Sequence, residues 1–181
     1  MTRRLIALLA AIGILYVLTA WAQKLHAPQQ LAVYDADGKK VGVVTGAEHV
    51  YGAFLPAVPF KVDQVPLFLQ VFRDGFVGQS VVAWESTDCS GTPFLTVGAP
   101  SDFRPPSALP LVGVGLPGNT VYVEDGPPQT INVRSYSTFP LQGPPPWPPH
   151  RCVLPGITPW TRVSAPARPL TDMDTLFKPP F

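Results

Sequence analysis

The sequence predicts an all-β protein, a single antiparallel sandwich or partly open barrel of about seven to nine short strands. In a chain of 181 residues, 24 prolines and 15 glycines leave little room for long helices after the N-terminus. Short apolar or alternating runs recur between turn residues, and three turns contain Asp-Gly, a strong hairpin signal. An antiparallel meander is the simplest arrangement of such runs. Strand order cannot be read from the runs, so sandwich and barrel both stay open.

Residues 1–22 predict a secretory signal peptide. Two arginines precede the uncharged run 5–22, and Ala20-Trp21-Ala22 matches a small-residue cleavage site before Gln23. Cleavage there predicts export to the periplasm or out of the cell. The alternative is an uncleaved anchor in the inner membrane that faces the periplasm, because the run approaches the roughly 20 residues that span a bilayer. A membrane is an expected partner only in that second case.

Residues 23–139 are predicted to form the β-rich domain. Its first expected strands are 31–35, 41–45, 49–55, 67–72 and 77–85. Asp37-Gly38 joins the first pair and Asp74-Gly75 the last pair, because glycine supplies the positive φ of a tight turn. Pro56 and Pro59 are expected to interrupt the sheet after the strand 49–55.

The later strands of this domain are expected at 94–97, 109–114, 120–124 and 130–136. Asp125-Gly126 is predicted to reverse the chain between the last two of them. Pro110 weakens the start of its strand and favours an edge position, where a missing N–H is tolerated.

Residues 140–181 are predicted to form a proline-rich strap and tail packed on the domain. The segment 143–149 is almost pure polyproline and is interpreted as a stiff surface strap, with a ligand for an aromatic groove as the alternative. Residues 153–169 are expected to be irregular. Residues 171–177 are expected to form one short helical turn capped near its start.

The central stretch is 84–94, which reads W-E-S-T-D-C-S-G-T-P-F and holds one of two cysteines. In an oxidising compartment, Cys89 and Cys152 are the only intramolecular pair that the chain offers. Neither has a CxxC partner, so a structural disulfide is preferred to a reactive thiol. The closed loop of about 60 residues is expected to stabilise the fold by roughly 4 kcal/mol on the chain-entropy model.

Charge and motifs argue against two classes of function. Cleavage removes two of 13 Lys+Arg and no acidic residue, which leaves 11 against 12 Asp+Glu and a net charge of −1. Nucleic acid is therefore not an expected partner, because it attracts a basic surface. The chain has no nucleophile elbow, HExxH or phosphate-binding loop, and its three histidines are scattered. No catalysis, metal or cofactor is predicted.

Three segments resemble a group of bacterial exported proteins of unknown function. They are D-A-D-G-K-K-V-G (35–42), W-E-S-T-D-C-S-G-T-P-F (84–94) and F-K-P-P-F (177–181). Members of the group carry similar D-x-x-G-K-x-V-G, Y-E-S-T-D-C-S-G-T-P-Y and PPF signatures, and Trp84 stands where they have tyrosine. The resemblance implies export, a β-rich fold and a disulfide at the central turn, and it lends no catalytic residues.

The sequence thus predicts an exported, disulfide-stapled binding or structural module at the cell envelope or outside it. Trp147 and Trp160 are the candidate ligand-binding residues, since aromatic side chains on loops anchor many interfaces. The expected partner is a protein or a glycan at the cell surface. The alternative is a membrane-anchored periplasmic envelope protein.

Overall fold

The computed structural model describes residues 30–50, 53–96, 110–138, 150–156 and 160–181. The predicted signal peptide and the polyproline segment with Trp147 lie outside these ranges. Within them, no helix has both the length and the apolar character needed to cross a bilayer.

Fourteen strands and one short 3-10 helix, Met173–Thr175, make up the described part of the chain. The strands are β1 Ala32–Tyr34, β2 Lys40–Val43, β3 Gly46–Val50, β4 Ala53–Val62, β5 Val65–Phe72, β6 Gly75–Val77, β7 Val82–Trp84, β8 Phe94–Thr96, β9 Val112–Gly115, β10 Thr120–Glu124, β11 Gln129–Val133, β12 Ser135–Thr138, β13 Arg151–Val153 and β14 Trp160–Asp172. Every strand pair is antiparallel. The all-β prediction is confirmed.

The largest sheet in the described residues has eight strands. Seven of them follow the order β13-β12-β7-β8-β14-β10-β9, and the eighth, β11, pairs with β14. The 13-residue β14 lies at its centre, with β10 and β11 along its two halves and β8 beside its middle. Since β11 leads directly into β12, which pairs with β7, the strands β14, β8, β7 and β11–β12 form a ring. The sheet is therefore curled, as a partly open barrel is.

The expectation of irregular structure at 153–169 is wrong, because β14 occupies most of that range. The prediction was wrong because β14 contains Pro166 and Pro169, and proline is rare within strands. Pro169 lies beside a bulge in the pairing with β10, where one missing N–H is easily accommodated. The carbonyl of Pro166 still accepts a bond from the Asp125 N–H at 2.7 Å. Pro56 and Pro59 likewise fail to interrupt the sheet and lie within the ten-residue β4.

The third Asp-Gly turn is also not the hairpin that was predicted. β10 and β11 do not pair with each other but lie along successive halves of β14. Pro127 and Pro128 follow Gly126 directly, and neither can donate the N–H that a tight hairpin ladder needs. The first two Asp-Gly turns do form hairpins, β1–β2 and β5–β6.

The predicted return strand 77–85 is instead two strands in different sheets. β6 ends the small sheet β3-β4-β5-β6, and β7 lies within the large one. Gly78 and Ser80 lie between them, against β9, where the Ser80 N–H donates to the Val112 carbonyl. A Cβ at Gly78 would lie 2.5 Å from that carbonyl oxygen, so only glycine fits this crossing.

The main apolar core lies where the small sheet meets β9 and β10 of the large sheet. It is built from the buried side chains of Val41, Val58, Leu67, Leu69, Val71, Phe76, Val112, Val114, Val121, Val123 and Met173. Phe76 is fully buried and lies 4.7 Å from Phe181 and 6.1 Å from Phe177, measured between ring centroids. The last five residues thus complete the core.

The C-terminal tail also holds the β1–β2 hairpin. Asp35 accepts backbone N–H bonds from Lys39 and Lys178, and the ammonium of Lys178 lies 2.8 Å from the Asp37 carboxylate. Burial acts to raise the pKa of Asp35, but the hydrogen bonds from the backbone N–H groups of Lys178, Lys39 and Asp37 outweigh it. The pKa of Asp35 is therefore below its ordinary value. Two of the three segments that carry the resemblance therefore contact each other.

His150 is buried, and its ring contacts both β6 and β12. Its Nε2 lies 3.1 Å from the Phe76 carbonyl, which can only accept, so Nε2 carries the proton and Nδ1 faces the Ser137 hydroxyl. Burial lowers the pKa of His150 below its ordinary 6.5, against the opposing effects of the Phe76 carbonyl and Asp174. As the pH falls, the unfolded chain therefore binds this proton at a higher pH than the native state does.

The free energy of unfolding is expected to fall as the pH drops through 6.5. The loss attributable to one proton is at most about 1.4 kcal/mol per pH unit. In His150→Gln, which retains a donor for the Phe76 carbonyl, that part of the dependence should disappear. Urea unfolding of both proteins above and below pH 6.5 measures the difference. Parallel curves for the two proteins would contradict the assignment.

Candidate functional site

The disulfide predicted between Cys89 and Cys152 is present, with the two Cα atoms 5.9 Å apart. It joins the loop after β7 to β13, which is one edge strand of the large sheet, across 63 residues of sequence. The fully buried Ser135 bonds to this loop twice: its hydroxyl accepts from the Cys89 N–H and donates to the Ser86 carbonyl. The bridge therefore fixes a loop that is also bonded to the sheet.

Serine side chains set the shape of the disulfide loop, residues 85–93. Ser86 Oγ donates to the Ser90 carbonyl at 2.8 Å and accepts the Ser90 N–H at 3.0 Å. These bonds close a tight turn in which Cys89 has φ +56° and Gly91 has φ +85°. A non-glycine residue in the left-handed region is uncommon and persists where its surroundings hold it. Here the disulfide and Ser135 do so.

A cleft of about 420 Å³ opens beside the disulfide loop. Its lining residues come from four separate stretches of the chain: Trp84, Asp88, Cys89, Ser90, Gly91, Pro93, Leu116, Pro117, Tyr122 and Pro169. This volume lies within the range of small-ligand sites, roughly 300–1,000 Å³. We call this feature the disulfide cleft.

Two aromatic side chains form the floor of the disulfide cleft. The rings of Trp84 and Tyr122 meet edge to face, with centroids 6.5 Å apart, and both residues are buried. The Tyr122 hydroxyl donates to the Leu116 carbonyl, which ties β10 to the turn after β9. Burial raises the pKa of Tyr122 above its ordinary value, so the phenol stays neutral. The floor is thus rigid and uncharged.

Asp88 is the charged residue among those that line the cleft, and its side chain is exposed at the rim. Ser90 Oγ donates to Asp88 Oδ1 at 2.6 Å. The Ser90 hydroxyl, followed by that of Ser86, lowers the pKa of Asp88 below its ordinary value. The two salt bridges found in the described ranges involve Asp125 and Asp37, so Asp88 presents an ionised carboxylate without a basic partner there.

Trp160, a predicted ligand-binding residue, does not line the disulfide cleft. Its ring stacks on Tyr136 with centroids 4.9 Å apart, and the Arg162 guanidinium lies over it at 5.7 Å. Tyr136 in turn packs against a core cluster made of Ala83, Phe94, Ile131 and Val133. At 38% exposure, Trp160 covers the ring of Tyr136 and also reaches solvent. Its predicted role in binding stays a prediction, as does that of Trp147.

The sequence reasoning identified one wall of the site and missed the rest. Trp84, Asp88 and Cys89 belong to the central stretch 84–94, but no residue of that stretch was predicted to bind a ligand. Tyr122 and Pro169 were missed, because they meet the loop only through the pairing of β10 with β14. That pairing depends on a strand in a range predicted to be irregular.

Comparisons with models of protein families, with curated proteins and with solved structures find no match for this chain. Across the described ranges, three or more metal-ligating side chains do not come together in one place.

Proposed function

We propose that this protein is exported and that its disulfide-stapled β-domain binds a partner through the disulfide cleft. The observation that carries the proposal is the cleft itself, an open concave surface held by the Cys89–Cys152 bridge. Ligand sites are typically concave and mostly apolar, with a few fixed polar groups, and this cleft has that composition. The partner would be a protein or a glycan at the cell envelope or outside the cell.

Rigidity supports a role in binding. The disulfide loop is held by the bridge, by Ser135 and by the paired bonds between Ser86 and Ser90. A surface that is already ordered loses little conformational entropy when a ligand binds, so its binding free energy is more favourable than that of a flexible surface with the same contacts. A binding module gains from such an arrangement, whereas a packing role alone does not require an open cleft.

Binding is proposed in preference to catalysis on chemical grounds. Ser90 is the serine among the described residues that line the cleft, and its proton is donated to the Asp88 carboxylate. A serine nucleophile needs a base that is aligned by a third group, usually an imidazole. His150 bonds instead to the Phe76 carbonyl and the Ser137 hydroxyl, within the core.

Export is supported by the disulfide, since such bonds persist in oxidising compartments and are rare in the cytosol. The charged start and uncharged run of residues 1–22 are the second support. Retention of that run would give the alternative, an envelope protein anchored in the inner membrane. The β-domain and its cleft would then face the periplasm and could serve the same binding role.

A variant that fills the cleft tests the proposal. Pro169 is exposed and lines the cleft, so Pro169→Trp should occlude it and abolish partner capture, with little change in the melting temperature. Val163→Trp is the matched control, because Val163 is 52% exposed on the same strand and does not line the cleft. Immobilised protein is exposed to an extract of the native compartment, and the retained proteins and glycans are identified by mass spectrometry.

Capture by the parent and by Val163→Trp, but not by Pro169→Trp, is the expected result. Equal capture by all three proteins would move the binding surface elsewhere and contradict the proposal. Thermal unfolding of each variant shows whether a loss reflects occlusion or a damaged fold.

A further inference from the structure

We propose that the disulfide cleft receives a basic side chain of a protein partner, with arginine preferred to lysine. This inference rests on the proposed function and names the chemistry of the ligand. It depends on three features of the cleft: an ionised carboxylate at the rim, an apolar wall and a neutral aromatic floor.

The charge of the cleft favours a cation. Asp88 is held by Ser90, exposed, and without a basic partner in the described ranges. The described residues that line the cleft include no lysine, arginine or histidine. A bound cation would therefore meet a fixed negative charge and no opposing positive charge. Hydrogen bonds between charged groups of this kind are about twice as strong as neutral ones.

The walls suit the apolar part of a long basic side chain. Pro93, Pro117 and Pro169 line the cleft together with Leu116 and Cys89. Lysine and arginine lay their methylene stems along such apolar surface while the charged head reaches a polar group. Trp84 and Tyr122 line the cleft as buried, neutral residues, so they place no positive charge against a bound cation.

A glycan fits the cleft less well. Sugars bind by stacking on exposed aromatic faces and by exchanging many hydrogen bonds with polar side chains. Trp84 is only 2% exposed and Tyr122 only 6%, and the Tyr122 hydroxyl is already used on the Leu116 carbonyl. The polar side chains of the lining are Asp88 and Ser90, besides that hydroxyl. An arginine side chain fits this lining better, because its guanidinium can bond the single carboxylate while its methylene stem packs on the apolar wall.

Arginine is preferred to lysine because of the shape of its head group. Its planar fork bonds a carboxylate through two parallel N–H groups and stacks on flat apolar surfaces, whereas an ammonium is a strongly hydrated point charge. One oxygen of Asp88 accepts from Ser90 Oγ, and an ionised carboxylate offers about four acceptor sites in all.

Short peptides test the inference on the purified, oxidised protein. The probes are capped five-residue peptides in which a central arginine, lysine or norleucine is flanked by alanines. Titration followed by amide NMR should show the arginine peptide shifting the resonances of Cys89, Ser90 and Gly91. The norleucine peptide should bind about tenfold more weakly, as loss of one charged hydrogen bond predicts, and lysine should fall between them.

Asp88→Asn should weaken the arginine peptide by about tenfold, because the amide keeps the shape and loses the charge. Asp63→Asn is the matched control, an exposed aspartate with φ +47° in the β4–β5 turn, where asparagine is well tolerated. Its affinity for the peptide should be unchanged. Added salt should reduce the difference between the arginine and norleucine peptides.

Equal binding of the arginine and norleucine peptides, or an unchanged affinity in Asp88→Asn, would overturn the inference. So would a lysine peptide that binds as tightly as the arginine peptide, since the preference would then be absent. Failure here is distinguishable from failure of the proposed function. If Pro169→Trp abolishes partner capture while the arginine peptide does not bind, the cleft remains the binding site and only its ligand class is wrong.

Discussion

Replacement of Cys89 by serine is expected to lower the free energy of unfolding by about 4 kcal/mol. The bridge closes a loop of 63 residues, and the chain-entropy model gives roughly that value for a loop of this length. The cost is large beside the 5–15 kcal/mol that is typical of the total stability of a domain. Urea unfolding of the parent and the variant, both monitored by tryptophan fluorescence, measures the difference.

The control for this prediction is the partner cysteine. Cys152→Ser and the double variant should lose the same amount as Cys89→Ser, because each removes the same bond and the effects of coupled sites do not add. Reduction of the parent should reproduce the loss without any substitution. Unchanged stability in the single variants would show that the bridge does not hold the native state.

Phe76→Ala is expected to destabilise the protein by about 3–5 kcal/mol, the usual cost of removing a fully buried phenylalanine. Phe76 is 0% exposed and lies between the ring of Phe60, 5.9 Å away, and the rings of the C-terminal tail. Deletion of its ring leaves a cavity that the paired strands around it cannot collapse to fill. Tyr34→Ala, which removes a ring that is 53% exposed, should cost no more than about 0.5 kcal/mol.

A double-mutant cycle extends this prediction to the tail. Phe181 lies 4.7 Å from Phe76, and its N–H donates to the Arg73 carbonyl. Phe76→Ala and Phe181→Ala should therefore couple by about 0.5–3 kcal/mol, as residues in contact do. Additive effects of the two substitutions would show that the tail does not dock on this core in solution.

The sequence predicted the class of fold and the bridge because both follow from local rules. Prolines exclude long helices, Asp-Gly marks tight turns, and two cysteines in an oxidising compartment have one way to pair within a chain. The hairpins predicted at Asp37-Gly38 and Asp74-Gly75 both formed, but only Gly38 has the expected positive φ, at +76°, whereas Gly75 is the first residue of β6 and pairs with Phe72. Asp125-Gly126 did not, because the prolines after it block hairpin pairing and β14 offers an alternative neighbour.

The site could not be predicted because its residues meet through long-range pairing. Trp84 and Pro169 are separated by most of the domain in sequence, and both line the disulfide cleft. β14 was missed since Pro166 and Pro169 weaken any local strand signal, and its stability comes from neighbours on both sides. Trp147 and Trp160 were predicted to bind the ligand instead. Trp147 lies outside the described residues, and Trp160 lies outside the cleft, stacked on Tyr136.

The central claim, that this is an exported domain stapled by one disulfide, is tested most directly by an intact mass. The protein is isolated from its native compartment and alkylated with and without prior reduction. We predict a chain that begins at Gln23, with both thiols protected until reduction and two of them alkylated afterwards. A full-length mass with both thiols alkylated before reduction would contradict both the cleavage and the bridge.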